Sequence, residues 1–211
     1  MKEKILIFGA SGHAKVVIDI VEKQGLYEIE FLVDDDLSLK GDTFFGYSVL
    51  GGKEDLLAKV DAPRKAIVAI GSNRARGTVA AWLEQHGFEL VTAIHPSAQA
   101  GRDVSLGAGS VVMANAAINA AATIGRNAIV NTHASIDHDC VIGDNVHIAP
   151  GATLCGTVTV GDGSFVAAGA TVIPNLTIGR NVIIGAGSVV IRDLPDEVTV
   201  VGNPAKVISE R

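Results

Sequence analysis

Residues 136–153 read IDHDCV-IGDNVH-IAPGAT, which is three blocks of six residues that each begin with isoleucine. The same spacing runs without insertion or deletion from Ile94 to Val190, and sixteen of the seventeen residues that open a block are Val, Ile or Leu. Ala100 is the exception. Neither the period of a helix nor that of a strand is six, but a chain that turns a corner every six residues around a filled interior has this period.

The other places of the block support this interpretation. The fourth residue is Asp, Gly or Asn in thirteen of the seventeen blocks, and these residues adopt a left-handed backbone most readily. The fifth residue is always Ala, Ser, Val, Cys or Leu, which suits a second inward position. The pattern predicts a parallel β-helix with three blocks in each coil. Because such a prism leaves flat outer faces, we expect it to form a closed homotrimer.

The first ninety residues follow a different pattern. Short apolar runs at residues 5–8, 29–33 and 66–70 alternate with helical stretches, and a fourth strand is expected at 90–92. This alternation predicts an α/β domain with a small parallel sheet and a nucleotide-fold-like topology. We therefore predict a Rossmann-like domain over residues 1–93 and a β-helix with a C-terminal tail over residues 94–211.

The loop Gly9-Ala10-Ser11-Gly12-His13 lies between the first strand and the first helix. Backbone N–H groups at a helix N-terminus bind phosphate oxygens well. The loop lacks the third glycine of the dinucleotide fingerprint and is not a Walker loop. Asp34, which follows the second strand, is placed to accept a hydrogen bond from a sugar hydroxyl, and Gly71 follows the third strand. The alternative is a glycine turn that only starts a helix, with surface aspartates.

Composition limits the function. The net charge of −6 and the absence of a basic stripe argue against a nucleic-acid partner. The uncharged run at residues 104–125 keeps the six-residue register, so we predict no membrane insertion. Cys140 and Cys155 do not fall one coil apart, and neither a CxxC motif nor a secretory leader is seen. These features predict a protein of the reducing cytoplasm.

His138 is the histidine best placed for chemistry. It occupies the third place of its block, between Asp137 and Asp139, and its neighbours one coil away are Ala120 and Gly156. Small neighbours leave space around the imidazole, and a flanking carboxylate raises the basicity of the ring. We therefore interpret His138 as a general base, the alternative being a plain surface histidine.

A zinc site is a competing interpretation. His133 and His138 have the spacing of two ligands in zinc-dependent carbonic anhydrases built on the same β-helix. The third ligand would lie two coils before His133, where the sequence has Ser97. Two histidines and a serine do not make a tetrahedral zinc site, so we expect no metal and a corner role for His133.

Three segments together resemble the sialic-acid O-acetyltransferases and bacillosamine N-acetyltransferases, and the resemblance covers nearly the whole chain. They are the loop at residues 9–13, the segment 131–144 with its His-Asp-Cys sequence, and the tail at 201–206. The resemblance implies a left-handed β-helix that uses acetyl-CoA as the donor and, in some members, a nucleotide-linked amino sugar as the acceptor. Many relatives have Glu where this chain has Asp139.

The resemblance also implies roles for individual residues. His138 would be the general base, assisted by Asp139. Two further sets would bind the substrates: His147, Gly156, Ala168 and Ala186 would line the CoA groove between subunits, and Ser11, Gly12, His13, Asp34, Asp35 and Gly71 would hold the nucleotide sugar.

The residues and the resemblance together predict direct acetyl transfer to the amino group of a nucleotide-linked 4-amino-deoxy sugar. The Gly156 N–H is our candidate to stabilise the oxyanion. Cys140 occupies an inward place, which favours core packing over an acyl-enzyme. O-acetylation of sialic acid or a related sugar stays open, because a general base serves a hydroxyl as well as an amine. A non-catalytic scaffold that binds sugar nucleotides is the third possibility.

Overall fold

The structure, a computed structural model, describes residues 2–210. The chain divides into two compact units, Met1–Pro96 and Ser97–Arg211. Within the described residues, no helix combines the length and the apolar character needed to cross a membrane.

The first unit is an α/β domain with a four-stranded parallel sheet in the order β2-β1-β5-β6. Its elements are β1 (Glu3–Phe8), α1 (Gly12–Gln24), β2 (Tyr27–Val33), a 3-10 helix (Leu37–Leu39), β3 (Thr43–Phe44), β4 (Tyr47–Ser48), α2 (Lys53–Ala58), β5 (Lys65–Val68), α3 (Asn73–Gln85), β6 (Glu89–Leu90) and β7 (Ala93–Ile94). The core is formed by the apolar residues of β1, β2 and β5 and by the inner faces of α1 and α3.

The strand order creates a switch point at the middle of this sheet. β1 lies between β2 and β5, so the connections that follow β1 and β5 leave toward opposite sides. Ligands of open parallel sheets bind at such a point, beyond the carboxyl ends of the strands. The fourth strand is Glu89–Leu90 rather than 90–92, because Glu89 and Leu90 are the residues in register with β5. The segment around Phe45 and Gly46, which gave no sequence signal, forms the turn of the β3–β4 hairpin.

The second unit is a parallel β-helix of about six turns, which confirms the predicted fold. Partner residues are eighteen apart, as in Ser135 and Thr153. Fifteen of the seventeen fourth-place residues have a positive φ, and His133 (φ 57°) and Asp139 (φ 58°) are among them. The fifth-place residues Cys140 and Val146 are fully buried, as expected for inward positions.

Three sheets form the three faces of the β-helix. Face A contains β10 (Val111–Val112), β13 (Ile129–Val130), β16 (His147–Ile148), β19 (Phe165–Val166), β22 (Ile183–Ile184), β24 (Val198–Val201) and β25 (Lys206–Glu210). Face B contains β8 (Gln99–Ala100), β11 (Ala117–Ile118), β14 (Ser135–Ile136), β17 (Thr153–Leu154), β20 (Thr171–Val172) and β23 (Val189–Val190). Face C contains β9 (Ser105–Leu106), β12 (Thr123–Ile124), β15 (Val141–Ile142), β18 (Thr159–Val160) and β21 (Thr177–Ile178). The tail continues face A, because β24 pairs in parallel with β22 and β25 returns antiparallel along β24.

Candidate active site

His138 lies at the corner between faces B and C, one residue before the left-handed residue Asp139. Its side chain is 58% exposed. The Nδ1 atom lies 2.8 Å from Oδ2 of Asp139, and the backbone N–H donates to Oδ1 of Asp137 at 2.8 Å. When Nδ1 donates its proton to Asp139, Nε2 carries the free lone pair. An exposed imidazole held in this way is suited to accept a proton from a substrate.

Asp137 is itself held by a residue of the preceding coil. Nδ2 of Asn119 donates to Oδ1 of Asp137 at 2.9 Å. This hydrogen bond is the main cause that lowers the pKa of Asp137, so the carboxylate stays charged beside the histidine. The pKa of His138 is raised above its usual value, first by the hydrogen bond with Asp139 and then by the charge of Asp137. Both carboxylates thus increase the basicity of the ring.

Gly156 lies directly against the His138 ring, one coil further along the chain. A Cβ at position 156 would stand 2.6 Å from Cε1 and 2.7 Å from Nε2 of His138. Only glycine leaves room for the imidazole where it is. Among the described residues, the N–H of Gly156 has no hydrogen-bond partner. A backbone donor therefore stands open beside the ring.

Neither Cys140 at this corner nor His133 at the adjacent corner between faces A and B supports a competing chemistry. Cys140 is fully buried, its Sγ lies 3.2 Å from the carbonyl oxygen of Cys155, and burial is the main cause that raises the pKa of its thiol. A buried, protonated thiol is a poor nucleophile. Nε2 of His133 lies 3.5 Å from Nδ2 of Asn115. Across residues 2–210, no group of three or more His, Cys, Asp or Glu is arranged to hold a metal.

The predicted CoA residues fall into two groups. Gly156 shares the corner between faces B and C with His138, whereas Ala168 and Ala186 are exposed residues at the corner between faces A and B. His147 lies on face A, where Nδ2 of Asn131 lies 3.0 Å from its Nε2 and its ring packs edge-on against Phe165. Gly156 and the pair Ala168 and Ala186 lie at opposite edges of face B, so within one chain they do not line a single groove.

The nucleotide-fold domain gathers its predicted residues at the switch point. Gly9 has φ 125°, and a Cβ there would stand 2.6 Å from the carbonyl oxygen of Ala69, so glycine is required. Oδ2 of Asp34 accepts the N–H of Ala10 at 2.7 Å, and Oδ1 accepts the N–H of Asp36 at 2.9 Å. Asp34 therefore binds its own loops with both oxygens, and each oxygen has one lone pair left for a ligand.

Ser11 and Gly12 are exposed where α1 begins, and the Ser11 side chain does not cap the helix. His13, the next residue, is largely buried, and its Nε2 has no hydrogen-bond partner among the described residues. Desolvation, with a smaller effect of the Arg76 charge, lowers the pKa of His13 to about 4. His13 would therefore meet a ligand as a neutral imidazole.

The sequence analysis did not identify several residues that contact the predicted site residues. Arg76 is fully buried, and it holds the Gly71 loop by donating to the carbonyl oxygens of Ile70 and Gly71, both at 3.2 Å. Burial lowers its pKa to about 10. Lys53 pairs with the exposed Asp35 at 2.8 Å. The spacing of eighteen residues between Asn119 and Asp137 could have revealed that pair, but nothing in the sequence marks Arg76 or Lys53.

The chain matches two family models. Residues 4–83 match the PglD N-terminal domain, and residues 121–156 and 157–192 match the bacterial transferase hexapeptide model of six repeats.

Solved structures agree with these models over nearly the whole chain. A variant of perosamine N-acetyltransferase from Caulobacter crescentus, in complex with CoA and GDP-perosamine, is 43% identical, with 98% of this chain and 97% of that chain covered and a TM-score of 0.93. The acetyltransferase domain of PglB from Neisseria gonorrhoeae, in complex with acetyl coenzyme A, is 37% identical, with 99% and 100% covered and a TM-score of 0.91. WeeI from Acinetobacter baumannii is 28% identical, with 98% and 100% covered and a TM-score of 0.80. The chain belongs to the family of acetyl-CoA-dependent sugar N-acetyltransferases that join a PglD N-terminal domain to a left-handed β-helix of hexapeptide repeats.

Proposed function

We propose that this chain transfers an acetyl group from acetyl-CoA to the amino group of a nucleotide-linked 4-amino-deoxy sugar, with His138 as the general base. The observation that carries the proposal is the exposed His138 imidazole, oriented at Nδ1 by Asp139 and open at Nε2. The similarity to a perosamine N-acetyltransferase that holds CoA and GDP-perosamine supports both substrate classes. A GDP-linked amino sugar is therefore the first acceptor to test.

The geometry supports direct transfer in a ternary complex. The amine nitrogen attacks the thioester carbonyl while Nε2 of His138 takes one of its protons. The oxyanion that forms accepts a hydrogen bond from the N–H of Gly156, and Asp139 stabilises the imidazolium. Collapse of the intermediate breaks the carbon–sulfur bond, and the departing thiolate takes the proton back from His138. No residue of the chain needs to carry the acetyl group.

The acceptor's nucleotide belongs, in this proposal, at the switch point of the first unit. Ser11 and Gly12 present the N-terminus of α1, where backbone N–H groups favour a diphosphate. Asp34 and Asp35 follow β2 and are suited to hydroxyl or base N–H donors, and Gly71 follows β5.

A homotrimer is part of the proposal, because the two groups of CoA residues lie at different corners of one β-helix. A single CoA contacts Gly156 and also Ala168 and Ala186 only if a neighbouring subunit supplies one of the two corners. Closed threefold packing of prisms brings such corners together. We expect sedimentation equilibrium to give three times the mass of the chain.

The cytoplasm is the proposed compartment. Cys140 and Cys155 are both free thiols. Free thiols persist in reducing compartments, which supports this assignment.

The test is thiol release from acetyl-CoA with a panel of amino sugars linked to GDP, UDP or dTDP, and with free sialic acid. Turnover with one nucleotide-linked amino sugar is the expected result. Turnover with sialic acid alone would replace the proposal by O-acetylation. Nucleotide-sugar binding without thiol release for any member of the panel would favour a non-catalytic binding protein.

The pH dependence of the reaction should show the effect of Asp139 on the pKa of His138. Because the base must be neutral, kcat/KM should fall as the pH decreases through the raised pKa of His138. Asp139→Asn removes the main cause of that shift, so the acidic limb of the profile should move to lower pH, and the plateau should drop severalfold. Asp103→Asn is the matched control, since Asp103 is also a left-handed corner residue (φ 61°). An acidic limb that stays in place in Asp139→Asn would contradict the assigned role of Asp139.

Cys140→Ala should keep most of the acetyltransferase activity. The side chain fills the interior of the β-helix, so the substitution leaves a small cavity and costs about 1 kcal/mol of stability. Thiol release at saturating acceptor, beside a thermal melting curve, measures both effects. A folded variant without turnover would instead indicate an acyl-enzyme on Cys140.

A further inference from the structure

The surface of the corner between faces B and C changes character at His138. Toward the N-terminus the outward residues are polar, since Asp137 is hydrogen-bonded to Asn119 of the preceding coil. Toward the C-terminus the second and third places of the blocks hold apolar residues as far as Ile191, beside the exposed polar residues Thr157 and Asn175 in the fourth place. We call Cys155, Ile173, Pro174 and Ile191 the apolar strip. Ile191 is 44% exposed although it is a large apolar residue. The apolar strip begins at Cys155, next to Gly156 and the imidazole, and covers three coils.

Arg192 stands at the far end of the apolar strip. It lies in the last turn of the same corner, between β23 and the bridge of Leu194 to Ile178, where the corner is two residues shorter than in the coils before. Arg192 is exposed, and within residues 2–210 its guanidinium makes no hydrogen bond or ion pair. The adjacent Asp193 is engaged elsewhere, because its Oδ1 accepts the N–H of Thr177 at 2.8 Å. The unpaired guanidinium of Arg192 therefore lies at the C-terminal end of the apolar strip.

The dimensions of this surface match those of the donor. Strands of a sheet are about 4.8 Å apart, so three coils separate His138 from Arg192 by roughly 14 Å. The pantetheine arm of CoA has about the length of four extended residues, which is also roughly 14 Å. An acetyl group at His138 would thus bring the phosphates of CoA to Arg192, and the apolar arm would lie on the apolar strip.

We propose that Arg192 binds a phosphate of CoA and that the apolar strip carries the pantetheine arm. This inference rests on the proposed acetyl transfer and extends it to a residue with no role in the chemistry. Arginine is suited to this task, because its planar fork donates two hydrogen bonds to one phosphate. The opposite direction is disfavoured, since Arg102, the cation two coils before His138, is only about 10 Å away. That direction is also polar beside His138, where Asn119 of the preceding coil donates to the charged Asp137.

Arg192→Ala and its matched control Arg102→Ala test the proposal. We expect Arg192→Ala to raise KM for acetyl-CoA about tenfold with little change in kcat, because a charge-assisted hydrogen bond to phosphate is lost. Arg102→Ala should leave both parameters near those of the original chain. Both side chains are exposed, so both variants should fold.

A donor without phosphates sharpens the test. With acetyl-pantetheine, Arg192→Ala and the original chain should have equal kcat/KM, and Arg192→Lys should recover part of the loss with acetyl-CoA. Equal losses with both donors, or an unchanged KM for acetyl-CoA in Arg192→Ala, would overturn the proposal. Titration calorimetry with CoA alone needs no acceptor, so a weaker Kd in Arg192→Ala can be established even if the proposed acceptor is wrong.

Discussion

His138→Ala should lower kcat by about a thousandfold, because a positioned general base contributes roughly 10²–10⁴ to the rate of such a transfer. The side chain is 58% exposed, so the variant should keep its fold. The dissociation constant of CoA should change little, since His138 acts on the acceptor amine. Thiol release with a nucleotide-linked amino sugar measures the rate, and titration calorimetry measures CoA binding.

His133→Asn is the matched control for His138→Ala. His133 lies on the adjacent corner, in a left-handed conformation that asparagine also adopts (φ 57°). The control should keep nearly full activity. If His138→Ala retained more than about a tenth of the original kcat, a solvent base would suffice, and the general-base assignment would be wrong.

The β-helix could be predicted from the sequence because each of its coils repeats the same physical requirement. Inward places need aliphatic or small side chains, and corners need a left-handed backbone, so the chain carries the same signal seventeen times. Asp139 satisfies this requirement at its corner and also contacts His138, a contact that its place next to the histidine in the sequence suggested. The short side chain of Asp139 reaches Nδ1 of His138 at 2.8 Å.

For the nucleotide-fold domain, the sequence predicted where the candidate site lies but not which of its atoms can contact a ligand. Parallel strands put Gly9, Asp34 and Gly71 at one edge of the sheet, and this follows from topology. Topology does not show which atoms are available to a ligand. The hydrogen bonds that Asp34 accepts from the N–H groups of Ala10 and Asp36 depend on the path of two loops. The burial of Arg76 depends on how α3 packs, which has no local sequence signal.

Gly156→Ala should reduce kcat by about a hundredfold or more while the fold is retained. The added methyl would stand 2.6–2.7 Å from two ring atoms of His138, so the imidazole must turn away from its place. A displacement of about 1 Å in a reacting group can cost 10²-fold in rate. The backbone at Gly156 is not left-handed, so alanine itself causes no strain there. Thiol release gives the rate, and a thermal melting curve confirms the fold.

The double variant separates this effect from any other. If the methyl acts by moving the imidazole, Gly156→Ala should cause almost no further loss in a His138→Ala background, because the two substitutions remove the same contribution. Multiplied losses in the double variant would show that position 156 acts independently of His138. The open N–H of Gly156 would then be the group to examine, since the methyl could disturb the oxyanion beside it instead. The coupling between positions 138 and 156 thus decides why glycine is needed at position 156. Glycine either leaves room for the imidazole of His138 or keeps the backbone N–H accessible to the oxyanion.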